Sequence, residues 1–380
     1  MNLGVIGYGA RIRWVLDEIS GIDPECRVTA ITDVRNQQIK QELGQEQSDR
    51  ISFYDTPERM IAAGNIDGIL IGTRCSLHTE MALQILPTGI PLYLEKPVAT
   101  SYEDLLRLKA ANEAYRSEVV VSFPLRNTPL LQMAKEIIDS GKIGTVEHVQ
   151  AMNNVASGGI YYHGWYRDEK ETGGLFLQKS THDFDYITYL LQLRPVRICA
   201  MKSKQVFKGT NPAGLKCKDC SDKHICLDNT YQSTSFDASW EYCCFAEDTG
   251  NEDSGSAIIQ YESGMHVSYS QNFFARKTAC GRGAKLMGYK GTIEFDWYTN
   301  LLKVYMHHTN RIETYEVLPD NESHGGGDAV LARNFIDVMK GKARSSTPLD
   351  DGLLSALICL KAKKSAEDYS FQTINWGEIL

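Results

Sequence analysis

The chain of 380 residues has no run near the roughly 18 consecutive apolar residues that a membrane-spanning helix needs. It also has no Lys/Arg-rich block, and its formal net charge is −8. That balance argues against nucleic acid or an anionic membrane surface as the main partner. The opening Met-Asn-Leu-Gly-Val-Ile-Gly carries no basic segment followed by an apolar one, so no signal peptide is expected and the expected compartment is the cytoplasm. Internal repeats and low-complexity linkers are absent, and proline is sparse, at 11. Fibrous and disordered classes are therefore excluded.

What is present is an ordinary globular balance, with 42% hydrophobic and 23% charged residues. At about 150 residues per domain the length suggests two domains or three. The ten cysteines would suit a disulfide framework in a short exported chain. In a long chain without an export signal, reduced thiols or a metal site are expected instead.

Five short apolar runs occupy the first third: residues 3–6, 28–32, 66–71, 91–94 and 119–122, with amphipathic stretches such as 76–86 and 102–115 between them. Continuous apolar strands alternating with helices predict a parallel sheet covered on both faces. The first run ends in Gly7-Tyr8-Gly9-Ala10-Arg11 and is followed by Ile12, Val15, Leu16 and Ile19 at helical spacing. This strand–turn–helix context is the one a dinucleotide-binding turn requires. Gly7 permits the tight turn, and Gly9 lets the backbone approach a pyrophosphate at the helix N-terminus. Ile12 stands where the third glycine of the pattern belongs. Asp33 ends the second run, where an acid bonds ribose hydroxyls and repels a 2′-phosphate. That favours NAD over NADP, although Arg35 nearby leaves the phosphorylated form open. Thr73 closes the third run and joins the expected cofactor contacts.

Further motifs follow in order: Glu95-Lys96-Pro97, Ser122-Phe123-Pro124-Leu125-Arg126-Asn127-x-Pro129, Gly141-Lys142-Ile143-Gly144, Trp165-Tyr166-Arg167, Gly173-Gly174, His182-x-x-Asp185 and His324-Gly325-Gly326-Gly327-Asp328. In this order the chain resembles the Gfo/Idh/MocA family of sugar and inositol dehydrogenases over nearly its whole length. The resemblance implies a Rossmann domain (residues 1–122) and a C-terminal α+β domain (123–380) on a large open, mostly antiparallel sheet. It also implies a homodimer or homotetramer paired through that sheet. Strand-like stretches at 146–152, 196–203, 257–261, 265–272, 284–288, 291–295, 301–306 and 313–318 agree independently.

A helix is predicted from about Leu175 to Leu193, which places Gln178, His182, Asp185 and Tyr189 on one face. The resemblance puts the catalytic histidine at His182. It also puts a frequent aspartate where this chain has Gln178, beside an unusual Lys179, so substrate choice and the proton route depart from the family pattern. Oxidising a secondary alcohol needs a base for the hydroxyl proton, and a histidine titrates near neutrality. Lys96 offers positive charge to a developing alkoxide. His78 matches a family histidine near the nicotinamide ribose, and Tyr8, Ala10, Arg11 and Glu95 complete the expected cofactor set.

Substrate contacts are expected from Tyr162, Trp165, Arg167, Gln178, Lys179 and Asp185. The aromatics could equally pack on the domain, and Arg126 either holds substrate or caps a helix. His324 and Asp328 could reach the cleft from the far side. A polar insertion at about 205–252 carries Cys217, Cys220 and Cys226, three thiolates that a fourth ligand (His224, Cys243 or Cys244) could complete as a structural zinc site. The expected activity is NAD-dependent hydride transfer at a secondary hydroxyl of a sugar, cyclitol or derivative. Two rivals stand beside it: glycoside hydrolysis through transient oxidation and elimination, and a nucleotide- or sugar-sensing regulatory protein.

Overall fold

The run Leu3–Ile6 cannot be a surface strand, because Leu3, Val5 and Ile6 have almost no exposed area. In the computed structural model, which describes residues 1–156, 158–231, 239–318, 323–375 and 377, it is paired on both sides. Strands β1 (Asn2–Ile6), β2 (Arg27–Thr32), β3 (Ser52–Tyr54), β4 (Gly68–Ile71), β5 (Leu92–Leu94) and β6 (Val119–Val121) form one parallel sheet. Their order is β3-β2-β1-β4-β5-β6, so direction reverses between β1 and β4, the switch point where ligands bind in such sheets. The edge strand β3 escapes a search for apolar runs because Ser52-Phe53-Tyr54 is not a buried apolar run: none of its three residues is fully buried.

The chain forms two compact units, Met1–Gln132 with Pro319–Leu357 and Asn375–Leu380, and Met133–Leu318 with Ile358–Ile374. In the first, helix Gly327–Met339 returns late in the chain. Its Leu331, Ala332, Phe335 and Ile336 join one core with Leu3, Val5, Ile12, Val15, Ile19, Ile31 and Val120. Phe335 meets Tyr93 edge to face at 5.6 Å, a geometry aromatic quadrupoles prefer.

The absent third glycine has a local explanation. Ile12 is fully buried, and a Cβ on Gly72 would lie 2.0 Å from its Cγ1. The room that the pattern normally takes from the helix is here taken from the residue after β4. Close helix–strand packing is retained with the glycine moved to the strand side.

The second unit holds β7 (Val146–Asn154), β8 (Pro195–Ser203), β9 (Ser254–Tyr261), β10 (His266–Asn272), β11 (Gly281–Gly288), β12 (Gly291–Asp296), β13 (Leu301–Met306), β14 (Ile312–Glu316) and β15 (Gln372–Thr373). Their order is β14-β13-β12-β11-β7-β10-β9-β8-β15. Only β7 and β10 run parallel. Alternation sorts the faces. Val149, Val267, Ile259 and Ile198 form one register row and are buried. The next row on the other face runs Gln150, Ser268, Ile258 and Cys199, and Ile258 is exposed. Met152, Ser270, Ser256 and Met201 form a second such row, with both methionines exposed.

Between β8 and β9 the described residues of the insertion form a short turn at Cys217–Asp219 and isolated bridges at Asn211–Ala246 and Lys216–Tyr242. The insertion is anchored by apolar packing. Phe207, Cys244 and Phe245 enter a cluster with Val155, Tyr161, Tyr162, Leu175 and Phe273. Asp253 Oδ2 accepts the backbone N–H groups of Gln205, Val206 and Phe207. Among the described residues, no helix is long and apolar enough to cross a membrane.

Candidate functional site

At the switch point β1 ends in Gly7-Tyr8-Gly9, and helix Ala10–Ile22 begins at once. Gly7 lies at φ +82°, and a Cβ there would sit 2.7 Å from Thr73 N. Only glycine fits that turn. Gly9 is the N-cap, and a Cβ on it would find only Gly72 O, at 3.8 Å. No acidic residue stands in the first turn of this helix, and its N–H end is suited to a phosphate. Asp33 closes the cradle: its Oδ2 accepts the Tyr8 N–H at 2.8 Å and its Oδ1 accepts the Arg35 N–H at 2.8 Å. Arg35 Nε lies 3.4 Å from the same carboxylate. The arginine that left NADP open is thus paired with the acid that opposes it.

Lys96 follows β5 and is half-buried. Its segment is held from the β4 side. His78 Nδ1 lies 2.8 Å from Pro97 O and Nε2 3.3 Å from Thr73 O, while Thr79 Oγ1 donates to Val98 O at 3.0 Å. His78 is buried, and desolvation holds its pKa below the ordinary value against these carbonyls and the nearby Glu95. The expected ribose histidine is therefore also a strut for the Lys96 turn. Arg11 spans the same edge. Its Nε donates to Glu95 Oε1 at 2.8 Å, and its terminal nitrogens grip Asp328 at 2.8 and 2.6 Å. His324 Nδ1 lies 2.8 Å from Asp328 Oδ2. The His324–Asp328 motif is a helix entry: a Cβ on Gly327 would strike Pro124 O at 2.1 Å, and His324 itself is left-handed at φ +49°.

In the second unit the predicted single helix is two. Helix Leu175–Gln178 stops, Lys179 takes φ −111°, and helix Ser180–Leu191 begins. Two anchors impose the break. Glu252 Oε1 accepts the N–H groups of Leu175 and Phe176, both at 3.0 Å. Ser180 Oγ donates to Gln271 Oε1 at 2.8 Å. Gln178 therefore ends the first segment, whereas His182 and Asp185 stand on the second. Residues 180–187 are all buried, so this turn of the helix has no solvent-facing side. One fully buried carboxylate was not anticipated. Asp183 accepts from Arg282 Nε at 2.7 Å, Asn153 Nδ2 at 2.8 Å and Tyr269 Oη at 2.8 Å. The signal available for it was an acid on the apolar side of a helix, next to His182.

Several of the residues expected to contact substrate have partners within the fold. Arg126 NH1 donates to Asp351 Oδ2 at 2.7 Å and to Ser346 O at 3.4 Å. Arg167 pairs with Asp248 and donates to Thr249 Oγ1 at 3.1 Å, so it holds the insertion. Tyr162 is a core residue, stacked near Phe207 at 4.1 Å with its hydroxyl on Glu252 O at 2.8 Å. Trp165 stacks on Tyr166 at 3.8 Å and is half-buried. The zinc expectation is corrected as well. Among the described residues, no group of three His, Cys, Asp or Glu side chains is arranged to hold a metal, and Cys217, Cys220 and Cys226 are free thiols. Cys217 Sγ faces His163 Nδ1 at 3.9 Å and Tyr242 O at 3.5 Å. Cys244 is drawn into the apolar cluster, where burial pushes its thiol far up. That favours a neutral thiol over a ligand thiolate.

A glycine cradle at the switch point, closed by an acid at the end of β2, defines a protein with a dinucleotide-binding Rossmann domain. Two family descriptions match the chain: an oxidoreductase family NAD-binding Rossmann fold over residues 1–123, and a GFO/IDH/MocA C-terminal domain over residues 131–294. The chain belongs to the GFO/IDH/MocA family. It is 26% identical to YteT of Bacillus subtilis over 322 residues, 74% of each chain. It is 32% identical to scyllo-inositol 2-dehydrogenase (NAD(+)) of the same organism over 213 residues, 50% of this chain and 52% of that one. Among solved structures, the WlbA dehydrogenase of Bordetella pertussis, in complex with NADH and UDP-GlcNAcA, shares the fold. It superposes with TM-score 0.73 and 18% identity, covering 98% of both chains.

Proposed function

We propose that the protein is a cytoplasmic NAD-dependent dehydrogenase acting on a secondary hydroxyl of a sugar, cyclitol or sugar derivative. The observation that carries this is the Asp33 carboxylate fixed against the Gly7–Gly9 turn by the Tyr8 N–H. It favours ribose hydroxyls and disfavours a 2′-phosphate, while the N–H end of the helix suits the pyrophosphate. The inositol dehydrogenase relatives support the substrate class. NAD, when bound, supplies the hydride acceptor.

Everything else falls to the chain. Gly7, Gly9 and Asp33 hold the dinucleotide. His182 accepts the hydroxyl proton, and Lys96 stabilises negative charge on the reacting oxygen. His78 and Thr79 keep the Lys96 turn in place. Gln178 offers a neutral amide to a substrate hydroxyl. The open face of the nine-stranded sheet, with Met152, Met201 and Ile258 exposed, is the surface through which copies of the chain pair.

The test is analysis of the purified protein for retained nucleotide, followed by NAD+ reduction at 340 nm across inositols and sugars. NADH formation that disappears in both Lys96→Ala and His182→Ala is expected. Release of an aglycone from glycosides without net NADH would replace the dehydrogenase with a hydrolytic cycle. Nucleotide binding without any turnover would leave a sensor.

A further inference from the structure

We propose that Arg11 is a positioning residue for Lys96 and makes no phosphate contact, although it stands in the first turn of the dinucleotide helix. The inference rests on Lys96 serving the reaction as a cation.

A basic side chain at that point is the natural partner of a pyrophosphate. Here four of its five N–H donors are committed elsewhere. Nε is on Glu95, both terminal nitrogens are on Asp328, and NH2 also reaches Ser122 Oγ at 3.1 Å. The two carboxylates are 7% and 1% exposed at the side chain. One guanidinium between two buried carboxylates has no surplus positive charge to offer a phosphate, since the acids cancel its field. What the cluster does is join four pieces of chain: the first helical turn, the end of β5, the end of β6 and the His324–Asp328 helix entry. Tyr93 Oη donates to Ser122 Oγ at 3.2 Å and extends the join.

Glu95 is the residue peptide-bonded to Lys96. Fixing its carboxylate fixes the backbone from which Lys96 projects. It also denies Lys96 the adjacent negative charge, which would otherwise attract the ammonium and hold its proton. The titratable groups around this point are Glu95, Asp328, His324 and Tyr93, with His78 and Lys96 beside Glu95. Burial alone would push the Asp328 carboxyl up, yet hydrogen bonds from Arg11 and His324 hold it well below the usual range. The pair is therefore charged throughout the working range of pH.

The test uses Arg11→Lys and the charge-balanced pair Arg11→Met/Asp328→Asn. Each is assayed for NADH affinity by fluorescence titration and for the pH profile of the polyol oxidation found in the 340 nm screen. We expect NADH affinity within about threefold of wild type, kcat reduced at least about tenfold, and an alkaline limb moved to higher pH. Adding Glu95→Gln to the pair should return that limb, because the carboxylate freed by losing Arg11 is then gone. A loss of NADH affinity of about tenfold or more with kcat retained would make Arg11 a phosphate ligand and overturn the proposal. A lowered melting temperature with kcat and pH profile unchanged would overturn it too. If wild type binds NADH but oxidises no polyol, the dehydrogenase reading fails by itself, and the NADH titration still decides whether Arg11 touches phosphate.

Discussion

Asp183 Oδ1 accepts from Arg282 Nε at 2.7 Å, with the aspartate fully buried and the arginine 7% exposed. The pair binds the first turn of helix Ser180–Leu191 to β11, and Asn153 and Tyr269 complete the carboxylate's partners from β7 and β10. Burial alone would lower the Arg282 pKa, but the Asp183 carboxylate outweighs it and the guanidinium is held charged. A buried pair of this kind stabilises little by its presence and costs much when halved. Asp183→Asn should destabilise the protein by about 3–5 kcal/mol in urea unfolding, leaving a buried arginine unpaired. Asp183→Leu/Arg282→Met should recover most of that loss. A double variant no better than the single one would show that packing, and not charge, holds the helix.

Gly72→Ala should destabilise by about 1–3 kcal/mol, because the new methyl enters the space of Ile12. In an Ile12→Ala background the same change should be close to neutral. The coupling is read from a double-mutant cycle of chemical unfolding. Additive effects would mean that the two positions do not share the void.

Asp33→Asn should shift cofactor preference toward NADP by at least about tenfold, since a carboxylate beside a 2′-phosphate is a like-charge contact. Arg35 would then be released from its ion pair and could meet the phosphate. Titration with NADH and NADPH checks both limbs. An unchanged ratio would remove Asp33 from the ribose site.

Stability should fall as pH drops from about 7.5 to 5. Desolvation lowers the pKa of both His78 and His163 from 6.5, so the unfolded chain binds protons there before the folded one does. The contribution is present above the unfolded value and is lost as pH falls below it. The double variant His78→Asn/His163→Asn should flatten that part of the melting-temperature profile. An equally steep fall in the variant would assign the acid sensitivity to other groups.

The strand-and-helix alternation of the first third was legible because parallel strands are buried on both faces and read as unbroken apolar runs. β3 was not, because Ser52, Phe53 and Tyr54 are all partly or fully exposed, unlike the equally short Val119–Val121. The antiparallel strands were legible from period-two alternation, apart from the two-residue β15. The glycine turn and Asp33 were legible since their chemistry is local. The partners of Arg126, Arg167 and Tyr162 within the fold were not legible, for a common reason. A guanidinium or phenol in a motif-rich segment looks the same whether it awaits a ligand or satisfies Asp351, Asp248 or the Glu252 carbonyl 81 to 225 residues away. The spacing of the cysteines suggested a metal, but spacing carries no information on which thiols turn into an apolar cluster.

The sequence by itself determined the order of elements, the glycine turn after β1 and the acid that follows β2, because backbone conformation and short-range hydrogen bonding depend on neighbours in the chain. The tertiary structure alone decided where the charges go. Arg11 faces two carboxylates, Asp183 faces Arg282, and Gly72 supplies the space that Ile12 takes, all through contacts between residues distant in sequence. In a close-packed, weakly polar interior such partners must be met, and only the folded chain brings them within reach.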